Sequence, residues 1–322
     1  MMFIEFMSRP CPLCRCKDSQ LVLTDTNRCE GLPISSNVVE CIMCGMHYVN
    51  PVPTEASLSQ LYRSSFVDPV AIIPINVRPV SKNHPTIKPL RKIAHFINGH
   101  LRGHPHDWPD EEGQGRSILD FGCHDGAKLA LWYKRGWRVA GIDLNQQAIE
   151  VARQRFIDGQ FRCGDLLNLD INDRFDFIRS DNVLEHLLDP MAYLQVLVKL
   201  LNPGGQIRIF VPNGAALSVR LLGRYSAVFW MPFHLNLFTT HTLKILLNKV
   251  GLKNITCSTY APVGSWTWTQ RQLFLQPGFN RHIPSHLDRL LRLISILNYP
   301  GEIMAQWAGY GEELVVTGQK SN

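Results

Sequence analysis

Ser117-Ile118-Leu119-Asp120-Phe121-Gly122-Cys123-His124-Asp125-Gly126 is the stretch on which the reading of this chain turns. A short apolar run leads straight into a glycine-bearing turn, and a helix is predicted from about Ala127, which is the order of parts in a nucleotide site. Gly122 and Gly126 remove side chains where a ligand would approach the backbone, and the first N–H groups of the helix face whatever anion lies there. The next predicted strand, Trp137 to Ile142, ends in Asp143. That places a carboxylate about 20 residues beyond the turn, where it can accept from ribose hydroxyls.

Asp120 precedes the first glycine in place of a plain G-x-G-x-x-G. A carboxylate there repels a pyrophosphate and attracts an ammonium group, which favours S-adenosylmethionine over NAD. Leu119 to Gly126 followed by Gly141-Ile142-Asp143 resembles the class I S-adenosylmethionine-dependent methyltransferases. Val183-Leu184-Glu185-His186-Leu187-Leu188-Asp189-Pro190 with Asn202-Pro203-Gly204-Gly205 is similar to the same family, and His234-Leu235-Asn236-Leu237-Phe238-Thr239 looks like one branch of it. The resemblance is strongest from Ser117 to Val211. It implies an α/β fold, a doubly wound seven-stranded Rossmann-like sheet, with S-adenosylmethionine bound by Asp120, Gly122, Cys123, Gly126, Asp143, Leu144, Asp165 and Leu166. In that family the residue matching Asp165 lies by the adenine amino group; an ordinary turn aspartate is the alternative. His124 stands where the family has a middle glycine, and histidine tolerates positive φ better than a β-branched residue would.

Cys11-Pro12-Leu13-Cys14 and Cys41-Ile42-Met43-Cys44 are two C-x-x-C pairs, the spacing of a tetrahedral structural zinc site. Gly45 suits a knuckle turn, and Val38 to Glu40 with His47 to Val49 would form the hairpin around it. A small zinc-ribbon-like unit over 1–66 is expected; a site that has lost its metal, or a redox pair, is the alternative. Cys16 and Cys29 read as bystanders. Thr54 is expected to cap a short helix with Leu58, Leu61 and Tyr62 that packs this unit onto the larger one.

Residues 67–115 are expected to be a connector. Within it, 67–85 has no clear period, Leu90, Ile93, Ala94 and Ile97 recur at helical spacing, and 103–115 is a Gly- and Pro-rich linker. The catalytic domain is expected over 116–320, with an insertion at about 260–310 covering the substrate. The insertion carries Trp266, Trp268, Phe274, Phe279 and a predicted helix from His286 to Leu297. Leu287, Leu290, Leu291, Ile294 and Leu297 share one face of it, either core, a dimer face or a membrane-lying surface.

At 322 residues the chain has room for one α/β domain and a smaller unit. Hydrophobic content of 45% and charged content of 19% describe a globular protein with no transmembrane run. Met1 to Pro10 lacks the basic start and apolar core of a signal peptide, so a cytoplasmic location is expected. The net charge of +6 is scattered, so nucleic acid is allowed without being indicated.

The function implied is methyl transfer to a small-molecule acceptor, a sugar or another polar metabolite. His186 and His234 are the candidate general bases, since an unperturbed imidazole has a pKa of about 6.5. His186 is expected nearer the methyl group, and its alternative is a helix-capping or packing role. Two other readings stand beside this one. An RNA methyltransferase would carry a basic face and an N/D-P-P-[FY]-type loop where this chain has Ser180-Asp181-Asn182-Val183. A noncatalytic cofactor-binding scaffold draws its support from His124 alone.

Overall fold

The computed structural model describes residues 4–26, 35–64, 113, 115–262, 266, 269–270 and 285–322. The expected connector helix, almost all of the linker, and Trp268, Phe274 and Phe279 of the insertion lie outside these residues.

Strands β6 (Ser117–Phe121), β7 (Arg138–Asp143), β8 (Gln160–Cys163), β9 (Phe175–Asp181), β10 (Leu201–Pro212), β12 (Lys253–Tyr260) and β13 (Glu313–Gln319) form a seven-stranded sheet ordered β12-β13-β10-β9-β6-β7-β8. The five from β8 to β10 are parallel, and β13 runs antiparallel to both of its neighbours. The order reverses between β6 and β9, so their carboxyl ends diverge and leave the crevice in which α/β sheets bind ligands.

Alternation along the strands feeds two cores. Ile118, Val139 and Phe177 pack against Leu129, Trp132, Ile149, Ala152, Phe156 and Phe161 on one face. Leu119, Phe121, Ile178, Ile207 and Ile209 face Leu194, Leu197, Leu243, Leu246 and Leu247 on the other. Trp132 comes from α2 (Ala130–Lys134), Ile149 and Ala152 from α3 (Gln146–Arg155), Leu194 and Leu197 from α4 (Pro190–Leu200), and Leu243, Leu246 and Leu247 from α6 (Thr240–Lys249). Three have side-chain caps. Asn145 accepts from the N–H groups of Gln147 and Ala148, Asp189 from that of Ala192, and Thr239 from that of Thr242. Asn202-Pro203-Gly204-Gly205 ends α4 as expected, but it belongs to the β10 span as an irregularity between Leu201 and Gln206.

The N-terminal residues build β1 (Phe6–Met7), β2 (Ser19–Thr26), β3 (Ser35–Cys41), β4 (His47–Val49), β5 (Val52–Pro53) and α1 (Glu55–Ser64). The expected hairpin is present, pairing Val38 with Val49, Val39 with Tyr48 and Glu40 with His47. Its sheet continues across the chain, because β11 (Asn236–Leu237) pairs with β4. Leu58 of α1 packs with Val52 and Leu235 as the capping pattern led one to expect.

Helix α5 (Leu217–Leu222) precedes β11, and α7 (Ser285–Trp307) is a single helix of 23 residues. It runs ten residues past the expected end and carries Pro300 inside it. Its buried side is Leu291, Ser295, Tyr299, Glu302 and Ala305, whereas Leu290 and Leu297 of the expected apolar face are exposed. The leucine stripe is therefore not wholly core: the helix turns a mixed face inward and part of the stripe outward. Among the described residues no helix is long and apolar enough to cross a membrane.

Candidate active site

The turn after β6 is held by its neighbour. The N–H groups of Gly122 and Cys123 both donate to Ile142 O, and His124 N–H donates to the Asp143 carboxylate at 2.8 Å. Asp143 accepts also from Asn145 N–H, so one side chain fastens the glycine turn, the end of β7 and the cap of α3. His124 adopts φ 51, the left-handed conformation a glycine would supply, so its departure from the expected pattern leaves the turn formed. The scaffold alternative thereby loses its support.

Gly122 and Gly126 have φ 80 and 70, the left-handed region that favours glycine. A Cβ on Gly122 would also stand 2.3 Å from Val183 Cγ2, and one on Gly126 would stand 2.9 Å from Phe156, so the packing of β9's loop and the end of α3 adds to the demand for glycine at both positions. The expected helix from Ala127 is reduced to a 3-10 turn, Ala127–Leu129, before the five residues of α2.

Asp120 is buried, and neither carboxylate oxygen has a hydrogen-bond partner among the described residues. Burial pushes its pKa up to about 6, although the Arg179 guanidinium, 3.7 Å away, pulls it back down. Arg179 in turn bonds Asp181, which also pairs with Lys128. Cys123 is buried beside Gly141, Leu144 is exposed next to Asp143, Asp165 caps the turn Leu166–Asn168 by accepting from Leu167 N–H, and Leu166 is buried beneath it. These residues line the carboxyl ends of β6, β7 and β8, where a nucleoside would lie.

The loop after β9 carries Glu185 and His186 on the 3-10 turn Leu184–His186. Contrary to the expectation that His234 comes from a distant connection, the two imidazoles are neighbours, with ring centroids 5.0 Å apart. Leu235 N–H donates to Glu185 O, and the Asn236 amide donates to Leu187 O, which draws the two loops together. The Tyr62 and Trp230 rings meet His186 edge-on, and Trp230 meets His234 in the same way. Burial takes both imidazoles far below the ordinary histidine value, His186 to about 3 and His234 to about 4, so each is neutral at pH 7 and a weak base. Tyr62 belongs to α1, and its hydroxyl lies 3.1 Å from His186 Nδ1. Sequence reasoning placed Tyr62 in packing alone; its spacing on α1 says nothing of the histidine it meets.

The four cysteines converge at the other end of the N-terminal unit. Their sulfurs lie within 4.8 Å of one another, with Cys11 to Cys44 at 3.6 Å and Cys14 to Cys41 at 3.4 Å. A tetrahedral ion with bonds of about 2.3 Å needs sulfurs roughly 3.8 Å apart. The two loops repeat one geometry. Arg15 and Gly45 have φ 65 and 67 and donate to the carbonyls of Cys11 and Cys41, whose own N–H groups donate to Cys16 O and Met46 O. Backbone N–H groups also face the sulfurs of Cys11 and Cys41. Burial raises the pKa of Cys41, yet the N–H groups of Met43 and Cys44 and the Cys14 thiol outweigh it and bring it to about 7. A donor set of this kind fits a structural divalent ion with no open position.

Comparison with known proteins agrees with this geometry. The family model described as methyltransferase domain matches residues 93–257. A ubiquinone biosynthesis O-methyltransferase of Idiomarina loihiensis is 34% identical over 127 residues, which cover 37% of this chain and 50% of that protein. One of Alkalilimnicola ehrlichii is 33% identical over 101 residues, covering 29% and 40%. The chain thus spans half or less of the length of these relatives. Among solved structures, the plantazolicin methyltransferase BamL has 18% identity and a TM-score of 0.48, with 82% of this chain and 94% of that chain covered. With 165 of its 322 residues matched, the chain belongs to the methyltransferase domain family.

Proposed function

We propose that this protein transfers the methyl group of S-adenosylmethionine to an oxygen of a small polar acceptor, a sugar or a related metabolite. The observation that carries the reading is the meeting, at one end of the sheet, of the fastened turn at Gly122, the Asp143 carboxylate at the end of β7 and the buried pair His186 and His234. The named activity of the curated relatives supports oxygen as the acceptor atom. In-line attack on the methyl carbon forms the C–O bond while the C–S pair returns to sulfur, so the protein's task is chiefly placement. The buried Asp120 carboxyl supplies the negative partner for the cofactor's ammonium, and Asp143 the acceptor for its ribose.

Beside this site, Cys11, Cys14, Cys41 and Cys44 hold one structural zinc that braces the N-terminal unit. The matching paired loops and the sulfur spacing support it.

The test is calorimetric titration of the full chain with S-adenosylmethionine, followed by incubation with labelled cofactor and fractionated cell extract. Binding, and label in a polar small-molecule fraction, are expected. Absence of cofactor binding removes the reading; label confined to RNA moves it to a nucleic-acid acceptor.

A further inference from the structure

Glu185, His186 and His234 bring together three groups that only accept protons or donate electron pairs. Each places one ligand atom within 4.8 Å of the other two. The ring tautomers follow from their partners. His186 Nδ1 lies 3.0 Å from Phe233 O and His234 Nδ1 lies 2.8 Å from Val228 O, and a carbonyl can only accept. The Tyr62 hydroxyl, 3.1 Å from His186 Nδ1, can accept from it as well, so hydrogen on each Nδ1 satisfies both carbonyls and leaves lone pairs on both Nε2 atoms. His186 Nε2 faces Glu185 Oε1 at 3.6 Å, beyond hydrogen-bond range.

Glu185 is 1% exposed, and among the described residues neither of its oxygens has a hydrogen-bond partner and no lysine or arginine pairs with it. A carboxylate buried without a partner is costly, and a cation seated against it would answer that cost. Two imidazoles whose Nδ1 hydrogens are anchored on backbone carbonyls, with a carboxylate within 4.8 Å, form the arrangement proteins use to orient ligands around a metal ion.

We propose that Glu185, His186 and His234 bind a divalent ion of the first transition row, separate from the cysteine cluster, and that its open positions take two neighbouring oxygens of a chelating acceptor such as a vicinal diol. Two nitrogens and one carboxylate oxygen suit manganese, iron, cobalt or zinc and leave room for further oxygen ligands. The substrate half of this inference rests on the methyl-transfer reading; the ion site does not. A hydroxyl bound to the ion loses its proton to water more readily. The resulting alkoxide attacks the methyl carbon, the O–C bond forms, and the S–C pair leaves on sulfur as the neutral thioether of S-adenosylhomocysteine.

The experiment uses the full chain with its cysteine cluster loaded with zinc. Manganese(II) is added and its free paramagnetic resonance signal followed; manganese is chosen because thiolates compete poorly for it. Cobalt(II) absorption bands lacking thiolate charge transfer serve as the second probe. One bound ion per chain beyond the zinc is expected, with affinity lowered at least about ten-fold in Glu185→Gln and again in His234→Gln. Retained zinc and an unchanged thermal melt show that these variants fold. Binding of neither probe overturns the proposal and leaves a protonated Glu185 as the answer to its burial. Binding indifferent to both substitutions places the ion elsewhere and also overturns it. Ion binding without cofactor binding leaves the site standing while the methyl-transfer reading fails.

Discussion

At the scale of single residues, Asp120 and Asp143 divide the work on the cofactor, and their environments separate them experimentally. Asp143 is partly open and already accepts two backbone N–H bonds, so its side chain is fixed in place. Asp143→Ala removes the ribose acceptor and unfastens His124 and Asn145 together. Calorimetry should show cofactor affinity reduced by about 1–3 kcal/mol, and an unchanged affinity would take Asp143 out of the site. Asp120 is buried with a pKa raised to about 6. Its neutral form is the one burial favours, so the cofactor-free protein loses stability from this group as pH rises from about 4 through about 6. An ammonium ligand favours the ionised form, and affinity for S-adenosylmethionine should therefore climb across the same interval. Methylthioadenosine, which lacks the ammonium, should show no such climb. Asp120→Asn should flatten the profile for S-adenosylmethionine, and equal profiles for the two ligands in the wild-type protein would contradict this placement. Both acids were legible in the sequence because each sits at a strand end, where chain order alone sets position. The adjacency of His186 and His234 was not legible. They are 48 positions apart, and long-range bonds such as those of Leu235 and Asn236 to the loop after β9 bring the rings together.

At the scale of elements, the seven strands and the capped helices were readable because alternation and capping are local. The order β12-β13-β10-β9-β6-β7-β8 follows once the parallel units are recognised. The last long helix was misjudged for a physical reason. Pro300 and Gly301 normally interrupt a helix, but Tyr299, Glu302 and Ala305 are buried on both sides of them, and tertiary packing outweighs the local cost. The paired cysteine loops were half legible: Gly45 announces its turn, whereas Arg15 fills the equivalent position with nothing in its chemistry to signal a positive φ. Cys14→Ser tests that element. Elemental analysis should fall from about one zinc per chain toward zero, since three thiolates no longer close the tetrahedron. Limited proteolysis should then cut the N-terminal unit faster, while cofactor affinity persists because none of the four cysteines is among the residues assigned to the cofactor. Zinc retained at full stoichiometry would show that the four cysteines are not its ligands.

At the scale of the whole molecule, Arg9 decides whether the N-terminal unit is an appendage or a wall of the site. Its guanidinium donates to Val49 O on one side and to Leu188 O, Leu235 O and Asn236 Oδ1 on the other, and it lies over the Tyr48 ring. Burial lowers its pKa to about 10, which still leaves it charged at neutral pH. Three of its acceptors flank the loops that carry His186 and His234, and β4 pairs with β11 beside them. Tyr62 adds a contact from α1 to His186 itself. A unit joined to its neighbour by a shared sheet, a shared core and a forked cation should not melt independently. The zinc-loaded chain is therefore expected to unfold in one calorimetric transition. Arg9→Ala strands several buried carbonyls and should lower stability by about 2–4 kcal/mol. Arg9→Lys should recover little of that loss, because an ammonium cannot span acceptors that a planar fork reaches at once. Two well-separated transitions in the wild-type protein, or an Arg9→Ala variant as stable as the wild type, would mean that the contacts across β4 and β11 do not couple the units. The pocket of His186 and His234 would then have to be held by the larger sheet alone.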